Sequence, residues 1–141
     1  MVVVSVRFLV VSCLAVAGCN QIFGLDETQV RDAAVDAPPV CQKTAERKTD
    51  PTGRSWDTTW YCENTTQARI YAGPNRDKEL GYMMTVRSWF LCYRLGADHE
   101  GGNNVWYYTQ GDRPVPGPWG FMAAADVTSA THPPPEMPLC D

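Results

Sequence analysis

Val105-Trp106-Tyr107-Tyr108-Thr109 is a run of β-branched and aromatic residues set between two turn-forming stretches, 96–104 and 111–117, which are rich in Gly, Asn and Pro. Residues of the first kind favour a pleated strand, and those of the second kind end it. Alternation along a strand sends Trp106 and Tyr108 to one face and Tyr107 to the other. Trp106 is expected in the core, and Tyr107 on the surface.

The same logic extends outward in both directions. Runs at 56–62, 67–71, 80–85, 89–95 and 119–127 are short, apolar or aromatic, and bounded by turn residues such as Gly73-Pro74-Asn75. Strands of this length and spacing indicate an all-β fold, a small barrel or sandwich. Residues 43–53 are polar and contain Pro51 and Gly53, so a short helix or a loop is expected there. Residues 129–140 carry Pro133-Pro134-Pro135 and Pro138 and read as an extended arm that only Cys140 ties down.

Near the start of the chain, Phe8 to Ala17 form an apolar stretch after Arg7, followed by Val16-Ala17-Gly18-Cys19. About ten apolar residues are too few for a helix across a bilayer of roughly 30 Å, so the segment reads as an export signal. The four residues ending at Cys19 resemble a bacterial lipobox. That resemblance implies cleavage before Cys19 and lipidation of its thiol, with two or more acyl chains giving a stable membrane anchor. The stretch Cys19-Asn20-Gln21-Ile22-Phe23-Gly24-Leu25-Asp26 with the Asp, Ala and Pro residues after it resembles lipoprotein starts of myxobacteria. Asn20 is not the aspartate associated with inner-membrane retention in enteric bacteria, which makes the outer membrane of the cell envelope the expected location.

Residues 20–40 have no hydrophobic period and end in Pro38-Pro39, so they read as a flexible linker. About 20 residues reach at most roughly 70 Å when fully extended. The expected organisation is a signal peptide at 1–18, the lipidated Cys19 with its linker to 40, an extension at 41–64, a β-barrel at 65–127 and the arm at 128–141.

Charge excludes some partners. Without residues 1–18 the chain holds 11 basic and 16 acidic side chains, a net of −5, which argues against nucleic acid or an anionic lipid surface. The acids are uneven: 20–40 has four against one base, whereas 41–126 has ten of each.

Cys13 lies in the signal and Cys19 is the lipid site, leaving Cys41, Cys62, Cys92 and Cys140. In an exported chain these read as two disulfides. Three pairings are possible. The favoured one nests Cys62–Cys92 inside Cys41–Cys140. The spacings lack a short Cys-x-x-Cys knuckle, so zinc is not expected.

The barrel segment resembles bacterial SH3-like domains. Ala68-Arg69-Ile70-Tyr71-Ala72-Gly73-Pro74-Asn75 is similar to their opening strand and turn, and Leu80-Gly81 falls where the second strand begins. Leu91 to Gly96 and Asn104 to Tyr108 look like the central strands, and Gly120 to Val127 looks like the closing strand with a short helical turn. Tyr71 stands where such domains often carry arginine.

Searching for catalytic chemistry finds no motif. His99 sits in Asp98-His99-Glu100, adjacent residues of one loop that is expected to be a solvated turn, since metal ligands usually come from separated positions. His132 is expected to be exposed. There is no nucleophile elbow and no His-Glu-x-x-His. No cofactor, metal or enzymatic activity is expected. Aromatic residues are the remaining candidates, and Tyr71, Tyr107 and Trp119 are the expected ligand contacts of a shallow groove. The resemblance implies a lipid-anchored binding module for a peptide, such as the peptidoglycan stem peptide. The alternative is an assembly subunit docking onto another envelope protein.

Overall fold

The computed structural model describes residues 41–141. The signal, Cys19 and the linker lie outside them. The described residues are all-β, with no α-helix and two disulfides. In chain order the strands are β1 (Gln42–Thr44), β2 (Lys48–Thr49), β3 (Ser55–Trp56), β4 (Thr59–Asn64), β5 (Arg69–Tyr71) and β6 (Glu79–Tyr82). They continue as β7 (Arg87–Phe90), β8 (Cys92–Leu95), β9 (Val105–Gln110), β10 (Trp119–Ala123) and β11 (Val127–Thr128), with one 3-10 turn at Ala124–Asp126 before β11.

Every strand pairing is antiparallel. In the first sheet β4 is central, with β7 along one edge and β1 and β11 end to end along the other. The second sheet runs β6-β5-β10-β9-β8, and β2 pairs only with β3. Leu91 carries the chain from the first sheet into the second. Its N–H donates to the Tyr108 carbonyl at 3.0 Å, and the Thr109 hydroxyl donates to the Trp89 carbonyl at 2.6 Å, so the corner leaves these backbone groups satisfied. The 3-10 turn returns the chain from β10 to β11 in the first sheet.

One core brings residues of both sheets together. Trp60, Cys62 and Phe90 come from the first, and Ile70, Val105, Tyr107 and Met122 from the second. Tyr107 is fully buried, a correction to its expected place on the surface. Alternation separated Tyr107 from Trp106 and Tyr108 as read, but the face it takes is the one between the sheets, where its ring lies 5.5 Å from that of Phe90. Its hydroxyl contacts His132 Nδ1 at 2.7 Å. His132 is therefore half-buried, not exposed. Burial raises the Tyr107 pKa well above 10, and burial followed by the charge of His99 lowers that of His132 below 6.5. Both are neutral at pH 7, so one hydrogen bond joins the phenol and Nδ1, its direction set by the imidazole tautomer.

Residues 43–53 form β1, β2 and a turn, where a helix or loop was expected. β1 extends because β4 offers it an open edge, a tertiary cause that local composition does not contain. The arm also differs from expectation. Pro134 is buried, Met137 joins the main core, and the backbone of Tyr93 exchanges hydrogen bonds with Pro138 and Cys140 at 3.0 and 2.8 Å.

The disulfides are Cys41–Cys62 and Cys92–Cys140, which overturns the nested pairing. Gln42 lies opposite Tyr61, so the residues just outside that pair come together at 4.3 Å between Cα atoms. Cys140 reaches Cys92 because the arm runs parallel to β8 beside Tyr93.

Candidate functional site

On its outer face the second sheet carries a row of rings. Register places Phe121 of β10 opposite Tyr71 of β5 and opposite Tyr108 of β9, while Tyr108 is opposite Cys92 of β8. Directly opposed residues share a face, so these four side chains form a line across the sheet. Trp119 precedes Phe121 by two residues and joins the same face, as Trp106 does beside Tyr108. Ring centroids are 5.2 Å apart for Tyr108–Phe121, 5.7 Å for Tyr108–Trp119, 5.4 Å for Trp89–Trp119 and 5.8 Å for Tyr71–Trp106. Aromatic rings at these separations attract beyond simple burial.

The β2–β3 hairpin borders this face, and its turn is written in Asp50-Pro51-Thr52-Gly53-Arg54. Asp50 Oδ1 accepts from the Thr52 amide at 2.9 Å, the Thr52 hydroxyl at 2.5 Å and the Arg54 amide at 3.2 Å. Gly53 has φ +86, a conformation that side chains rarely adopt. Burial on its own would raise the Asp50 pKa. The hydrogen bonds from Thr52, Trp56 and Arg54 outweigh it, and the net shift is downward. This turn sets Arg54 over the Trp56 ring at 3.9 Å, and Lys48 lies 4.9 Å over Trp89.

Between the hairpin and the ring row is a cleft of about 220 Å³, lined by Asp50, Arg54, Trp56, Arg94, Tyr108 and Phe121, with Cys140 and Asp141 at its margin. Its acidic side chains are Asp50 and Asp141. Burial first, then the charge of Asp50, raises the Tyr108 pKa, so its hydroxyl stays a neutral donor and acceptor at pH 7. The cleft thus combines flat apolar walls, a phenol and two guanidinium groups. That set suits binding of a small group with apolar bulk and negative charge.

Of the expected contacts, Tyr71 and Trp119 lie half-buried on this face, flanking the cleft, and Tyr107 is in the core instead. Trp56, Arg54 and Arg94 line it without having been singled out, beside Tyr108, one of the candidate aromatic residues. The Asp-Pro-Thr-Gly-Arg turn was the available signal for Arg54 and Trp56, because such a turn fixes whatever follows it. Nothing local marks Arg94, which is brought in by pairing of β8 with β9.

His99 is half-buried, not a solvated turn residue. Its Nε2 is 2.9 Å from the Val105 carbonyl, the Gly101 amide donates to Nδ1 at 3.2 Å, and its ring stands edge-on to Trp106 at 5.5 Å. Among the described residues no three His, Cys, Asp or Glu side chains are grouped as a metal site would require, and no helix is long and apolar enough to cross a membrane.

No protein-family model, curated protein or solved structure matches the chain.

Proposed function

We propose that the protein is a lipid-anchored envelope binding module with an SH3-like barrel, which holds a peptide such as the peptidoglycan stem peptide against its outer aromatic face. The observation that carries this reading is the cleft in which Trp56, Tyr108 and Phe121 converge beside Arg54 and Arg94. One further feature supports it: the half-buried rings Tyr71 and Trp119 extend the surface on both sides of Phe121. Binding would rest on ring contacts and hydrogen bonds at their polar edges, without chemical change in the ligand. Lipidation of Cys19 would place the module at the membrane, and the linker would give it reach.

The competing reading, docking onto an envelope protein through the proline-rich arm, gains little from the fold. The arm is packed onto the protein at Pro134 and Met137.

Sedimentation with purified peptidoglycan tests the proposal, using the full chain in detergent with disulfides formed. Saturable retention that Trp119→Ala or Tyr108→Ala reduces at least tenfold, with the fold intact by circular dichroism, supports it. A folded wild type that stays in solution removes the wall as ligand.

A further inference from the structure

We propose that Arg54 and Arg94 form a carboxylate clamp, occupied by Asp141 of the same chain until the carboxylate of a peptide ligand displaces it. The inference rests on the aromatic cleft being the ligand site, and it names the ligand group that the cleft selects.

Two arginines from different elements converge on one residue. Arg54 Nη2 donates to Asp141 Oδ2 at 2.7 Å, and Arg94 Nη2 donates to the Asp141 main-chain oxygen at 2.6 Å. Each guanidinium also lies over a ring, Arg54 over Trp56 at 3.9 Å and Arg94 over Phe121 at 5.7 Å. Rings below and oxygen acceptors at the edge are the arrangement in which a planar guanidinium recognises a carboxylate best. The other acid of the cleft keeps its charge but turns its oxygens to the hairpin, Asp50 Oδ1 to the turn donors and Oδ2 to Trp56 Nε1 at 3.5 Å. With Asp141 displaced, the cleft holds two positive charges against one negative charge already engaged.

Asp141 is a weak occupant. Its side chain is 86% exposed, and an ion pair so exposed is screened by water and salt. Its advantage is tethering, since the Cys92–Cys140 disulfide holds the preceding residue at the cleft margin and makes its return intramolecular. A peptide ending in a carboxylate after small apolar residues could keep both arginine contacts and also cover Tyr108, which Asp141 leaves half-open.

Titration of the full chain, in detergent with disulfides formed, tests the clamp with N-acetyl-alanyl-alanine as the free acid and as its carboxamide, read by tryptophan fluorescence and calorimetry. Asp141→Ala removes the side-chain contact on Arg54 and leaves the main-chain contact on Arg94, and this loss of half the tethered competitor should make the variant bind the acid about tenfold more tightly than wild type. The carboxamide should bind neither protein measurably. Arg94→Gln placed in the Asp141→Ala background should abolish acid binding, and it is the safer variant because Arg54 also stacks on the hairpin. Equal affinity of wild type and Asp141→Ala, equal binding of acid and carboxamide, or no acid binding by either protein overturns the clamp. Parallel sedimentation with peptidoglycan separates the two readings. Wall retention unchanged by Asp141→Ala and Arg94→Gln refutes the clamp and leaves the aromatic groove standing. Acid binding with the expected variant pattern but without wall retention supports the clamp and removes the wall.

Discussion

The hydroxyl of Tyr107 and the imidazole of His132 meet 2.7 Å apart, both neutral because both are buried. For His132 the sign of the linkage follows directly. Its pKa is depressed in the folded state, so the fold is fully stable above the ordinary value of 6.5 and loses stability as the pH falls below it. Thermal unfolding between pH 7.5 and 5 should show this loss, and His132→Asn, which keeps an acceptor but cannot titrate there, should flatten it. Tyr107→Phe at pH 7 should cost about 0.5–1.5 kcal/mol, the value of one hydrogen bond. At Asp50, replacement by Ala removes the acceptor for three turn donors and should cost about 1–3 kcal/mol by chemical denaturation. Of these residues, Asp50 was legible as part of a turn. The place of Tyr107 was not, because a period of two assigns residues to opposite faces without saying which face is inner, and here both faces of β9 are covered.

Strands were readable wherever local chemistry ended them. Turn residues at Gly73-Pro74-Asn75, 96–104 and 111–117 bracket β5, β9 and β10 close to where they were expected, whereas the single run expected at 89–95 is two strands, β7 and β8, parted at Leu91 and placed in different sheets. β1 and the arm were not readable, since each is held by a distant partner: β1 by β4, and the arm by Tyr93 and the core around Met137. Disulfide pairing fails for the same reason. Spacing does not tell which strands bring their cysteines together. The observed pairs close loops of 21 and 48 residues. In the chain-entropy account these contribute about 3 and about 4 kcal/mol, so Cys→Ala removal of Cys92–Cys140 should lower stability more than removal of Cys41–Cys62, by under ~1 kcal/mol. Denaturant titration of the two double variants checks the order. Within β6, glycine is a geometric need: a Cβ on Gly81 would lie 1.9 Å from the Arg113 carbonyl oxygen, so Gly81→Ala should displace the 111–117 loop from β6.

At the scale of the molecule, the all-β class was legible from aromatic and β-branched runs, and the cleft was not, because its walls come from a hairpin, three strands and the arm. The two disulfides have a mechanical meaning in a chain that is read as tethered from its N-terminal side. They short-circuit the polypeptide between 41 and 62 and between 92 and 140, so tension applied between residues 41 and 141 travels through sulfur and can draw out only the segment between Cys62 and Cys92. Thirty residues of chain release roughly 100 Å, whereas the whole of 41–141 would release roughly 350 Å after reduction. Under load, Tyr108, Trp119 and Phe121 on β9 and β10 lie inside the shielded 92–140 loop, so a pulled molecule lengthens at β5, β6 and β7, taking Tyr71 and Trp89 with it, while β9 and β10 carry no direct strain.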